Sequence, residues 1–180
     1  MALDPNKQRR RFPWLILNVA ICGLWLFVPA IRRSLRSETC MGNLEMVAGA
    51  TLMYSVDNDD RMPPSATWMD ATFLYTRDAR VYGCPEVDGR SSTEFGHAYS
   101  SKLSLRRVSS VGNLPDTPLL FDSSDLRWNA AGALSLLPRE PRNEGTHAIA
   151  FMDGTLRSVT AFRAKSLTVA VPNRPTVESP

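Results

Sequence analysis

The chain has two histidines, His97 and His147, 50 residues apart. Beside an Asp or Glu, either is of the right type to ligate zinc or to act as a general base. Neither belongs to an H-x-x-x-H or H-E-x-x-H arrangement, and no C-x-x-C pair completes a ligand set. Both are therefore expected to be structural. Asp57, Asp59 and Asp60 form the densest acidic cluster. Hard cations such as Ca²⁺ want several oxygen ligands, and D-x-D suits them. The glycine and distal glutamate of an EF-hand loop are missing, so a solvated loop that ends a helix competes with a calcium site. Serine pairs at 91–92, 100–101, 109–110 and 123–124 include no G-x-S-x-G elbow. A P-loop and a G-x-G-x-x-G turn are absent as well. Trp68 and Trp128 have ring faces that suit sugar stacking or simple packing. No catalytic residue, metal ligand or cofactor is assigned, no small-molecule substrate is expected, and the chain is not expected to be an enzyme.

Charge narrows the partners. Lys and Arg number 21 against 18 Asp and Glu. Lys7, Arg9, Arg10 and Arg11 against Asp4 place that whole excess of three before residue 13, so the rest of the chain is neutral. A nucleic-acid-binding body would show a clustered basic face, so no nucleic-acid partner is expected. After the basic arm (1–11), residues 12–31 carry no charge. As a helix they span roughly 30 Å, a bilayer core, which makes membrane lipid a partner. Four basic residues before the run and Arg32, Arg33 and Arg36 after it favour a cytoplasmic N-terminus slightly. A retained single-pass anchor in a bacterial inner membrane and a cleaved signal peptide, with Val28-Pro29-Ala30 as its cleavage site, are both open. Either way the body lies outside the cytoplasm.

The elements that must position these side chains follow. Cys40, Leu44, Val47, Thr51 and Tyr54 form one row of a mostly apolar stripe, and Met41, Leu44, Ala48, Thr51 and Ser55 the next. This predicts a helix continuing from the span to about Asp57–Asp60, before Pro63-Pro64. A second helix is expected over 68–76, an extended piece over Arg80–Cys84, a loop over 86–96 and a buried strand over Thr117–Phe121. Residues 123–146 read as a long excursion. HAIAFMDGTLRSVTAF, 147–162, reads as a hairpin with a type I′ turn at Asp153-Gly154, with Ile149, Phe151, Leu156 and Val159 on one face. The exported domain is assigned to 32–162 and a disordered tail to 163–180. The fold class is α+β, a long N-terminal helix packed on a small antiparallel sheet.

Cys40 shares the stripe that faces the body, and Cys84 ends the extended piece before Pro85. In an oxidising compartment the two are expected to form a disulfide, with Cys22 remaining a thiol inside the apolar run. The alternative is two separately buried thiols.

These pieces, in this order, resemble the type II secretion pseudopilin-like family, in particular its exported members ending in an H-x9-DG motif. Cys40, Asn43 and Leu44 with Tyr54 and Asp57 are similar to its C-x-x-N-L…Y-x-x-D helix end. Pro63-Pro64 and Trp68 resemble its P-P…W entry, and Cys84-Pro85 its C-P turn. Arg142, Gly145, Phe151, Asp153 and Gly154 resemble its R-x-x-G…F-x-D-G end. The resemblance implies a pilin-like fold and a non-enzymatic component of an envelope secretion or pilus-like assembly, partnered by other single-span envelope proteins. The motif histidine falls at Asn143 here. The stretch Arg9–Trp14 lacks the glycine and glutamate of a prepilin processing site, which implies neither prepilin cleavage nor a fibre. An exported carbohydrate- or peptide-binding module released by signal cleavage is the alternative function.

Overall fold

The computed structural model describes residues 12–87, 91 and 93–167; the side chains of 12–22, 24, 26 and 165 are outside that description. The chain divides into two compact units between Leu35 and Arg36. Helix α1 runs over Phe12–Asp57 with Pro29 inside it. Among the described residues no helix is long and apolar enough to cross a membrane. Most side chains of the 12–31 run lie outside the described residues.

In the second unit α1 ends as expected. The Asn58 side-chain amide donates to the Tyr54 carbonyl at 2.8 Å, and Asp59 and Asp60 adopt positive φ of 53° and 64°, which ends the helical path. Helix α2 covers Trp68–Thr76. The segment expected to be extended before Cys84 is instead a 3₁₀ turn at Ala79–Tyr82, capped by the Asp78 carboxylate. The strands are β1 (His97–Ser100), β2 (Pro118–Asp122), β3 (Ala131–Gly132), β4 (His147–Phe151) and β5 (Leu156–Val159). Helix α3 follows at Ala161–Ser166, across the expected boundary at 162. The rest of the expected tail, 168–180, lies outside the described residues.

The sheet order is β3-β1-β2-β4-β5. It is mixed, which corrects the antiparallel expectation: β3 pairs parallel to β1. The two-residue β3 comes from the middle of the 123–146 excursion, too short to show any periodicity of its own.

Alternation along the strands sorts the core into two faces. Tyr99, Leu120, Ala148 and Ala150 join Leu44, Val47, Ala48, Trp68 and Tyr82 on the helix side. Ala98, Phe121, Ile149 and Phe151 face the other side, against Leu134, Leu136 and Leu137. Two details of the expected hairpin change. Gly154 has φ +83° but Asp153 is not in the positive-φ region. The Gly154 N–H donates to the Phe151 carbonyl, and the Phe151 N–H to Thr155. This is a three-residue loop with glycine at the left-handed position, not a type I′ turn. Leu156 and Val159, three apart on a strand, point to opposite faces; Leu156 packs on the helix side.

Candidate functional site

Cys40 and Cys84 form a disulfide, with Cα atoms 4.7 Å apart. Cys40 lies on the buried stripe of α1. Cys84 is held by the backbone around it: its N–H donates to the Phe95 carbonyl at 2.7 Å, Gly83 bridges to Gly96, and the Asn43 amide donates to the Gly83 carbonyl at 2.8 Å. Gly96 is needed there. Its φ is +98°, and a Cβ would sit 2.8 Å from Val87 Cγ2 and 3.1 Å from Arg142 Nη1. Val87 and Leu126 complete an apolar wall around the sulfurs.

The remaining neighbours are polar. The register pairs His97 on β1 with Asp122 on β2. His97 Nε2 is 3.5 Å from Cys40 Sγ, and Asp122 Oδ1 is 3.9 Å from it. Asp122 Oδ2 accepts two hydrogen bonds at 2.8 Å, from the Asn143 amide and from the Ala148 N–H. Asn143 Oδ1 accepts in turn from Ser37 Oγ on α1 at 3.2 Å. The Arg142 guanidinium donates to the carbonyls of Gly96 and Ser123, at 3.1 and 2.7 Å. Cys40, Cys84, His97 and Asp122 are all fully buried. Burial pushes the Asp122 carboxyl up to about 6, against the opposing pull of the Ala148 N–H, Arg142 and Asn143.

Ligand atoms of Cys40, Cys84, His97 and Asp122 all lie within 4.8 Å of one another. Sequence reasoning missed this convergence, although Asp122 closing a fully apolar strand run was a usable signal. A carboxylate at the end of a buried strand needs nearby donors. Chemically, a cystine sulfur is not a nucleophile, and a centre with no exposed member has no open position for substrate. The arrangement serves as a staple joining α1, the Cys84 turn, β1 and β2.

The motif residues support this staple and its surroundings. Asn43, Arg142 and Asn143 bond within it, and Pro85 follows Cys84 directly. Leu44, Trp68 and Phe151 are core residues, and Pro63 is buried. Tyr54 is half-buried, its carbonyl taking the Asn58 amide. Gly145 (φ +82°) and Gly154 occupy turns that favour glycine. Asp153 accepts from the Thr155 N–H and hydroxyl at 3.0 and 2.7 Å.

Other predicted residues stay apart. Asp57 accepts from Tyr75 Oη at 2.9 Å, and Asp60 accepts from the Ser109 N–H and hydroxyl. Among the described residues these acids do not gather into a ligand set with Asp59. Trp68 is fully buried, stacked on Tyr99 with its indole N–H on the Ala130 carbonyl, so it offers no face to a sugar. Trp128 is half-buried, its indole N–H bonded to Asp70 Oδ1 at 2.8 Å. His147 lies on the other sheet face, lining a cavity of about 490 Å³ with Leu134, Leu137, Ala161 and Ala164; burial lowers its pKa, helped by Arg142.

Comparison with known protein families, with curated proteins and with solved structures finds no match to this chain.

Proposed function

We propose that the protein is a non-enzymatic, membrane-anchored, pseudopilin-like component of an envelope secretion or pilus-like assembly. The anchor in this proposal is the uncharged run at 12–31. The observation that carries the proposal is the outer face of α1. Gly42, Met46, Gly49, Met53 and Val56 recur at spacings of four and three and are all exposed. At about 100° per residue they fall within a sector of about 80°, opposite the buried row of Cys40, Leu44, Val47 and Thr51. Met46 is 54%, Met53 58% and Val56 80% exposed. A lone exposed apolar residue needs no explanation, but a heptad-spaced row does. Nothing lies within 4 Å of a Cβ built on Gly42 or Gly49, so another helix can approach closely between the methionines. In sequence, Leu35 stands seven residues before Gly42 and Ile31 four before that, both exposed, with Glu38 at the position between Leu35 and Gly42. The occupant in this reading is the helix of another single-span envelope protein.

A photo-crosslinking residue at position 49, in native membranes, tests this. The expected product is a discrete adduct with a single-span membrane protein. Met46→Glu with Met53→Glu removes the burial of two methionines, ~1.5 kcal/mol or more each, so the adduct falls at least ~tenfold. Equal adducts from position 49 and from a position on a solvated loop would refute the proposal, as would a chain released from membranes by carbonate.

A further inference from the structure

The staple of Cys40 and Cys84 lies inside a set of four side chains of the types that ligate zinc. We infer that, when its sulfurs are reduced, this site binds one zinc ion through Cys40, Cys84, His97 and Asp122. The inference is independent of the anchored-assembly reading.

Three observations carry it. First, ligand type and number: two thiolates, an imidazole and a carboxylate satisfy four-coordinate zinc, and the absence of any exposed member marks a closed, structural site. Second, distance. Tetrahedral bonds of ~2.3 Å to sulfur and ~2.1 Å to nitrogen or oxygen give sulfur–nitrogen and sulfur–oxygen edges of roughly 3.6 Å. Cys40 Sγ lies 3.5 Å from His97 Nε2 and 3.9 Å from Asp122 Oδ1. Once the covalent bond is broken, the sulfurs part to an edge of roughly 3.8 Å. Third, orientation. Asp122 spends Oδ2 on Asn143 and Ala148, which leaves Oδ1 aimed at Cys40. A cystine sulfur has no proton to donate to that oxygen, so the contact has a hydrogen-bonding or coordinating role only in the reduced chain. Such outer hydrogen bonds on a ligating carboxylate are how metal sites fix their ligands. Ser37 extends the set by bonding Asn143.

The chemistry balances. A dithiol reductant transfers two electrons and two protons to the Cys40–Cys84 bond, leaving two thiols and its own cyclic disulfide. Zn²⁺ then replaces the two thiol protons, which leave to solvent. A disulfide oxidant reverses the sequence: it takes two electrons from the thiolates, the sulfur–sulfur bond re-forms, and Zn²⁺ is released. Disulfide and metal are thus alternative cross-links between α1 and the Cys84 turn, and the metal adds β1 and β2 through His97 and Asp122.

The test uses the full-length chain in detergent, either oxidised or reduced anaerobically with a dithiol and desalted. The reduced chain should bind one equivalent of Zn²⁺ and the oxidised chain none. Co²⁺ as the probe should give tetrahedral ligand-field bands with a thiolate charge-transfer band. His97→Ala and Asp122→Ala should each weaken Co²⁺ binding at least ~tenfold, and Asn143→Ala about 10- to 100-fold. If reduction unfolds the metal-free chain, one equivalent of Zn²⁺ should restore its circular dichroism. The inference is overturned by binding to the oxidised chain, by undiminished binding in the Cys40→Ser/Cys84→Ser double variant (which keeps Cys22), or by a reduced chain that neither binds Zn²⁺ nor refolds with it.

Discussion

Replacing Cys40 and Cys84 together by alanine removes the one covalent tie among the described residues between α1 and the segment entering the sheet. The two cysteines are 44 residues apart in sequence. In the chain-entropy account, a cross-link over that span lowers the entropy of the unfolded state by an amount worth about 4 kcal/mol at 25 °C. Native-state strain and residual structure subtract from that figure. Two small voids in a fully buried site add to the cost of the substitution. The net expectation is a loss of about 3–4 kcal/mol, a large share of the ~5–15 kcal/mol typical of a folded domain. At about 2–4 °C per kcal/mol for a body of this size, Tm should fall by about 6–16 °C. The assay is a thermal melt followed by circular dichroism in chelator-treated buffer, with and without reductant. The wild-type chain should drop into that range on reduction, and the double variant should be insensitive to reductant. Hydrogen exchange adds a local check, because the Cys84 N–H, now on the Phe95 carbonyl, should lose protection first. A double variant melting within ~2 °C of the oxidised wild type would refute the reasoning. So would a reductant effect of equal size in the double variant.

Two further outcomes are expected. In the oxidised chain Asp122 titrates at about 6 instead of 3.8, chiefly through burial. The folded state therefore holds the proton more tightly, and stability falls as pH rises from about 4 to about 6, by ~3 kcal/mol over the window. Asp78, Asp125 and Asp153 have lowered values and act with the opposite sign below about pH 4. His147, also lowered, opposes Asp122 below its ordinary 6.5. The measurement is thus the difference between wild type and Asp122→Asn in urea midpoints from pH 4 to 7. An identical pH slope in both proteins would remove Asp122 from the account. For Gly96→Ala, the positive φ and the 2.8 Å approach to Val87 should together cost about 2–4 kcal/mol. A loss under ~0.5 kcal/mol by chemical denaturation would show that the turn gives way easily.

Much of this molecule was legible from local pattern. The stripe of α1, its stop at Asp57, the bounds of α2, the buried strand at 118–122 and the hairpin around Gly154 all declare themselves through periodicity or turn chemistry within a few residues. The Cys40–Cys84 pair was also readable, because a cysteine on the buried stripe and one at a proline-constrained turn left few other partners. β1 and β3 were not. His97–Ser100 is buried at every position, so the sequence HAYS carries no alternation, and Ala131–Gly132 has no length in which to show any. Their existence depends on pairing with β2 and with each other, a cost in chain closure that only the assembled sheet repays. The polar surroundings of the disulfide belong to the same class. Ser37, His97, Asp122 and Asn143 are ordinary residues where they stand in the chain, separated by 106 positions at the extremes. Composition and spacing pointed to a helix laying an apolar face on a small sheet and brought two cysteines within reach of each other there; the fold decided between a bridge and two buried thiols. Strand register alone decided that His97 would stand opposite Asp122 beside them, because pairing geometry relates residues through space and leaves no period in the sequence.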